Sequence, residues 1–251
     1  MAKVGTAAVT SPDRRAEVPG LSSGLSLLDP RILPFAAYMA CIAIAGAVPW
    51  LARQSIIPAG WQTPLELWLY PFKTVVVVSL LLWCRSRYEE LKDGIFSKPA
   101  HMIEAVVIGL LVYAAWVRMD WSWAVQGTLS GYDPSSAGRP AVVLLAIRLF
   151  GAAVVVPVME ELFWRSFLIR YVDETNYSMV HLGRFTVKSC AVTVILFGLE
   201  HQLWLAGMMA GAAYNLLLYR TKRLWPCIVA HGTTNLMLGI HVLLTGEWKW
   251  W

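Results

Sequence analysis

The apolar residues of this chain are gathered into long runs that short polar segments separate. A helix that crosses the roughly 30 Å hydrocarbon core of a bilayer needs about 20 such residues. Lipid offers no partners for free backbone groups, and no alternating barrel pattern is present, so each run is predicted to be helical. The predicted spans are 32–52, 66–84, 100–117, 140–169, 186–200, 203–219 and 225–245.

These runs predict an all-α fold, a polytopic membrane protein with about seven or eight transmembrane helices around an intramembrane cavity. The eighth helix, of half length or lying at the membrane interface, is expected within 172–185. No long polar insert divides the chain, so 31–251 is predicted to be a single transmembrane helical domain. Residues 1–30 are rich in Ser, Gly, Pro and charge, and they are predicted to be a mobile cytoplasmic tail.

Composition supports the membrane assignment. Of the 251 residues, 57% are hydrophobic and 15% are charged, whereas soluble domains have about 45–50% apolar and about 25% charged residues. The net charge of +5 does not indicate a nucleic-acid partner, because the basic residues lie in loops beside the apolar spans. The four cysteines are scattered without a CxxC pair, so we expect small buried side chains rather than disulfides or a metal site.

The distribution of Lys and Arg predicts the orientation. Basic loops stay on the cytoplasmic side of a membrane, and here they alternate with loops that contain almost no Lys or Arg. The N-terminus is therefore predicted to be cytoplasmic and the C-terminus to lie outside. The basic loops are 85–98, 170–188 and 220–223, and the alternate loops are near 54–65, 119–138 and 201–203.

Three polar clusters fall within or at the ends of the predicted spans. Ionisable side chains inside a bilayer are costly and usually face a cavity or a partner. Their coincidence on three separate spans within about 75 residues favours a functional site. The clusters are Glu160, Glu161 and Arg165 in the fourth span, Phe197, Glu200 and His201 at the end of the fifth, and His231 and Asn235 in the seventh.

Helical spacing gives the two adjacent carboxylates different roles. Glu161 and Arg165 are four residues apart with the acid first, which is the favourable order for an ion pair along one face. Glu160 points about 100° away and is less well compensated, so it is suited to general-base chemistry. Pro157 lacks an N–H and can kink the helix here, which would admit water or a substrate backbone.

The two later clusters carry hydrogen-bonding groups on single helix faces. His231 and Asn235 are four residues apart and supply two donors of the kind that hold an oxyanion. His201, four residues after Phe197, could orient a water that Glu160 activates. Each cluster also has a purely structural interpretation: an ion pair in the first, a histidine satisfied at a helix end in the second, and a bridge between helices in the third.

In order and spacing, these motifs resemble the type II CAAX prenyl proteases of the Ras-converting enzyme type, within the CAAX protease and bacteriocin-processing family. The family pattern is EExxxR, then FxxxH, then HxxxN or HxxxD, and the chain carries EELFWR, FGLEH and HGTTN. The resemblance covers roughly 140–240, and the surroundings look most like the bacterial branch called CAAX prenyl protease-related proteins. It implies an intramembrane endopeptidase of a bacterial inner (plasma) membrane that cuts near the C-terminus of a membrane-associated protein or peptide.

The resemblance also implies a role for each residue of the three motifs. Glu160 would activate the attacking water with help from His201, and His231 and Asn235 would stabilise the tetrahedral oxyanion. No cofactor is expected, because the family is described as glutamate-type proteases acting without metal. Zinc is the open alternative, since Glu160, His201 and His231 would make a ligand set of two histidines and one glutamate. The residues expected to brace the site are Glu161, Arg165 and Phe197.

Several alternatives stay open. The substrate does not carry over from the family, so a lipid-modified protein and a protein with a C-terminal sorting signal are both compatible. A non-catalytic scaffold or immunity protein of the same fold is one rival. A transporter or proton relay is another, although the inverted repeat typical of transporters is not apparent. The small-residue stripe at 206–211 favours internal helix packing, with homodimerisation as its alternative, and the oligomeric state is left open.

The predicted span boundaries conflict with a shared site. If the fourth span begins at one membrane surface near 140, Glu160 lies about 30 Å along it, at the far surface. If the fifth begins at that far surface near 186, His201 lies about 22 Å away from it. A tilted helix, a helix that projects from the membrane, or an earlier start of the fifth span would bring the two groups together.

Overall fold

Within residues 26–129 and 131–251, which a computed structural model describes, seven long helices follow the seven apolar runs. Five helices in this part of the chain, α1, α2, α3, α4 and α7, are long and apolar enough to cross a membrane. The chain is therefore an integral membrane protein with an all-α fold, as the sequence predicts. The helices are α1 (Leu33–Arg53), α2 (Gln62–Cys84), α3 (Pro99–Trp116), α4 (Ala141–Tyr171), α5 (Val187–Leu199), α6 (Trp204–Thr221) and α7 (Leu224–Thr245).

The expected eighth helix is reduced to one turn. Between α4 and α5 the chain forms a 3₁₀ turn at Tyr177–Met179, and Gly183 has a left-handed φ of 75°. This interval is polar and has no continuous apolar face, so a half-length helix would gain little burial here. Of the predicted mobile tail, 1–30, residues 1–25 lie outside the described part of the chain.

Polar contacts join the segment before α1 to α4 and to the loop after α2. Arg31 Nη2 lies 2.6 Å from Glu90 Oε2, and Ser166 Oγ of α4 donates to Glu90 Oε1. Tyr177 Oη donates to Asp29 Oδ2 at 2.6 Å. This network therefore fixes one end of α4 from two loops.

Helix α4 is not uniformly α-helical. It has 31 residues, and π-helical turns interrupt it at Gly151–Val155 and Leu162–Leu168. Pro157 explains the first turn, because its missing N–H leaves the carbonyl of Ala152, five residues earlier, without the π-type donor. Asn235 of α7 provides a donor for this carbonyl, since its Nδ2 donates to Ala152 O at 2.9 Å. The kink predicted at the proline is thus a widened turn that α7 stabilises.

Small residues let the helices around α4 approach closely. A methyl group placed on Gly211 of α6 would lie 3.2 Å from the Phe197 ring of α5, and one on Gly207 would lie 3.0 Å from Gly198 Cα. A methyl on Gly232 of α7 would lie 2.7 Å from the carbonyl oxygen of Ala153 in α4. The small-residue stripe of α6 therefore packs inside the protein, as favoured from the sequence.

Candidate active site

The polar residues predicted from the three motifs converge on one cavity. It has a volume of about 200 Å³, and its wall includes Glu160 from α4, His201 from the turn after α5, and His231 and Asn235 from α7. The predicted conflict in height does not occur, since residues of both helices share this cavity, and α4 has 31 residues. At 1.5 Å per residue it is about 46 Å long, against a hydrocarbon core of roughly 30 Å. The helix is therefore longer than the core is thick, and Glu160 and His201 line the same cavity in the structure.

Glu160 lines this cavity and has a buried carboxylate oxygen without a hydrogen-bond partner among the described residues. The residue is 5% exposed, its Oε2 lies 3.9 Å from His231 Nε2, and no group of the described residues hydrogen-bonds to that oxygen. A buried acceptor without a protein partner is a place where an ordered water binds. The weaker compensation predicted for Glu160 agrees with this geometry.

Glu161 does more than the ion pair expected from its spacing. Its Oε1 accepts a hydrogen bond from Arg165 Nη1 at 3.0 Å and also lies 2.9 Å from His231 Nδ1. We assign the proton on His231 Nδ1 from this contact, because a carboxylate only accepts. The ring is thereby held with Nε2 facing Glu160. Glu161 links the first motif to the third, and it orients an imidazole across two helices.

The guanidinium of Arg165 is enclosed by groups from α5 and α6. Its Nε donates to Asn215 Oδ1 at 3.2 Å, its Nη2 donates to Gly211 O at 3.3 Å, and it lies 4.3 Å from the centre of the Phe197 ring. Asn215 Nδ2 in turn donates to Thr193 Oγ1 at 2.9 Å. A buried charge requires such partners. Asn215 and Thr193 were not predicted from the sequence, in which the one available signal is their polarity within apolar spans.

Tyr214 is a further residue of the site that the motifs do not include. Its ring stacks on His231 with centroids 5.2 Å apart and an interplanar angle of 21°. Its hydroxyl donates to Thr234 Oγ1 at 2.8 Å, and Thr234 donates to Gly109 O of α3. This contact fixes the plane of the imidazole that Glu161 orients.

The second motif lies at a helix end. His201 Nδ1 is 2.7 Å from Phe197 O, and the ring packs against Phe197 and Trp116. A carbonyl only accepts, so we assign the proton to Nδ1, which leaves the Nε2 lone pair free. Glu200 accepts a hydrogen bond from Trp164 Nε1 at 3.1 Å, so it has a structural partner of its own.

Asn235 has only part of its amide free for a ligand. One N–H is used at Ala152 O, so a second N–H remains for a group in the cavity. In the ranges 26–129 and 131–251, no group of three or more His, Cys, Asp or Glu side chains is arranged to hold a metal ion.

Comparison with known proteins adds one finding to this geometry. Residues 142–237 match a family model described as Type II CAAX prenyl endopeptidase Rce1-like. The matched segment includes all three motifs and most of the four helices from α4 to α7, whereas residues outside it, such as Tyr70, Trp116 and Trp251, also line the cavity. No curated protein and no solved structure matched the chain.

Proposed function

We propose that this chain is an intramembrane endopeptidase, because residues 142–237 match the Rce1-like type II CAAX prenyl endopeptidase model, which implies a membrane protease. It hydrolyses a peptide bond near the C-terminus of a membrane-associated protein or peptide. The observation that supports this most is the unpaired Glu160 Oε2 beside His231 Nε2 in a buried cavity.

In this proposal Glu160 is the general base. A water bound at its free oxygen gives up a proton and attacks the scissile carbonyl carbon, and protonated Glu160 then passes that proton to the leaving amine. His201, whose Nε2 lone pair is free, orients the same water. Protonated His231 and the second N–H of Asn235 donate to the oxyanion that forms. Each of these four side chains lines the cavity.

The other residues of the motifs act by holding those four in place. Glu161 accepts from His231 Nδ1 and so holds that ring with Nε2 toward Glu160. Arg165 balances the charge of Glu161. Phe197 covers the guanidinium with its ring face and gives its carbonyl to His201. The mechanism uses no metal ion.

The proposal also places the protein in a bacterial inner membrane with a cytoplasmic N-terminus. Support comes from the alternation of basic loops and from the resemblance to the bacterial branch. The exposed Glu89 of the loop 85–98 would then face the cytoplasm. A Glu89→Cys variant without the native cysteines should react with an impermeant maleimide in inside-out vesicles. Reaction only in right-side-out vesicles would show the opposite orientation, with the N-terminus outside.

The test of function compares cells that carry the wild type with cells that carry Glu160→Gln. The substitution keeps the shape of the side chain and removes the base, so cleaved termini should disappear from the membrane proteome in terminal-peptide mass spectrometry. Glu89→Gln, the same change at an exposed position, is the matched control and should leave these termini unchanged. A Glu160→Gln strain with the wild-type termini would favour the scaffold alternative instead.

A further inference from the structure

Arg148 is a charged side chain in the cavity that the proposed mechanism does not use. It lies on α4 and forms part of the same wall as Glu160. None of the ion pairs between described residues includes it, and its buried Nε has no hydrogen-bond partner among them. An arginine inside a bilayer usually has a counter-charge. No described residue provides a counter-charge for Arg148, which leaves its guanidinium available to an anionic ligand.

Aromatic rings surround Arg148 in place of carboxylates. The guanidinium carbon lies 4.3 Å from the centre of the Tyr70 ring, 5.8 Å from Tyr132 and 5.5 Å from Trp251. Lys73 of α2, which is 8% exposed, has its Nζ 4.7 Å from the same Tyr70 ring. Ring faces attract cations but do not neutralise them. This end of the cavity is therefore positively charged and suited to an anion.

The π turn of α4 aligns Arg148 with Glu160. The two residues are twelve apart, and in an unbroken α-helix this spacing would turn them about 120° away from each other. The π turn at Gly151–Val155 takes up one extra residue, and the remaining eleven complete roughly three turns. Arg148, Ala152, Val156 and Glu160 accordingly line one wall of the cavity.

We propose that Arg148 binds the C-terminal carboxylate of the substrate and so sets the distance from that terminus to the cleaved bond. The inference rests on the proposed function. A guanidinium can hold a carboxylate through two parallel hydrogen bonds, which gives direction as well as charge. Arg148 and Glu160 are at most about 18 Å apart along the helix axis. The arginine side chain itself spans part of this distance, and the substrate spans the rest. At about 3.3–3.6 Å per extended residue, the released fragment has roughly three to five residues.

The first test measures binding, without turnover, to the Glu160→Gln protein in nanodiscs. The probes are N-terminally lipidated apolar hexapeptides made as matched C-terminal acids and amides. The acid should bind at least about tenfold more tightly than the amide, because the amide leaves Arg148 without its counter-charge. Adding Arg148→Gln should remove the difference, and Arg148→Lys should keep part of it. Arg118→Gln, at an exposed arginine outside the cavity, is the control and should keep all of it.

Three further results distinguish this inference from its rivals. Equal affinity for acid and amide, or no binding of either peptide, overturns the assignment of Arg148. An acid preference that appears only with anionic lipid in the nanodisc, or an Arg148→Gln effect confined to such membranes, would assign Arg148 to a lipid headgroup and also overturn it. A preserved acid preference with no cleavage of any peptide by the wild type would instead count against the proposed hydrolysis.

Discussion

The two adjacent glutamates should have opposite effects on stability, although both are needed for activity. Glu161 is fully buried at 0% exposure, and its Oε1 contacts both Arg165 and His231. Glu160 is nearly as buried, at 5% exposure, but its ion-pair contact with His231 Nε2 is 3.9 Å long. Oε2 of each glutamate has no hydrogen-bond partner among the described residues. Removing Glu161 therefore leaves a buried cation unpaired, whereas neutralising Glu160 removes a charge that burial penalises.

The expected magnitudes differ enough to measure. Breaking one side of a buried ion pair costs about 3–5 kcal/mol, and the lost hydrogen bond to His231 adds about 1–3 kcal/mol. For a chain of this size each kcal/mol corresponds to about 2–4 °C in Tm. Glu161→Ala should thus lower the Tm by at least about 8 °C. Glu160→Gln should leave the Tm unchanged or raise it.

Thermal unfolding of the purified variants in one detergent is the assay, with equilibrium unfolding in a denaturing detergent to obtain the free energy. The double variant Glu161→Ala with Arg165→Met completes a double-mutant cycle with the two single variants. It should be more stable than the sum of the single changes predicts, because the second change removes the unpaired cation. Equal destabilisation by Glu160→Gln and Glu161→Ala would refute the division of roles between the two carboxylates.

Two other predictions concern pH and metal ions. Burial raises the pKa of Glu90, but the hydrogen bonds and charge of Arg31 outweigh it and hold this pKa below the ordinary value of 4.5. The contribution of Glu90 to stability is therefore fully present above about pH 4.5 and is lost as the pH falls through the lowered pKa. The Tm difference between wild type and Glu90→Gln should shrink in that acidic range. A constant Tm difference would contradict the ion pair of Glu90 with Arg31. Proteolysis by purified protein should also persist after dialysis against a chelator. If the activity were lost and only zinc restored it, the metal-free mechanism would be wrong.

Much of the fold was predictable because its signal is local. Apolar runs of membrane length define the helices whatever their neighbours are, and the spacing of Glu161 and Arg165 predicts their ion pair within one helix. The widened turn of α4 was partly predictable, since Pro157 removes a backbone donor. Its use as a docking point for Asn235 was not, because the partner comes from another helix.

Contacts between helices explain what the sequence could not provide. The contact of Glu161 with His231 depends on how α4 and α7 pack against each other, which the spacing within either helix does not determine. Asn215 and Tyr214 belong to no motif, and their importance appears only when α6 is packed against Arg165 and His231. Arg148 belongs to no motif either, and the lack of a partner at its Nε among the described residues depends on the packing of several helices.

The most direct measurement of the central claim is the cleavage rate of a substrate peptide by purified protein in liposomes. Glu160→Gln should lower the rate by at least about 10²-fold, which is typical of a lost general base. His231→Gln should lower it by a similar factor, and Glu89→Gln should retain the wild-type rate. Undiminished cleavage by Glu160→Gln protein of wild-type stability would show that the carboxylate and imidazole in this cavity do not carry out the reaction.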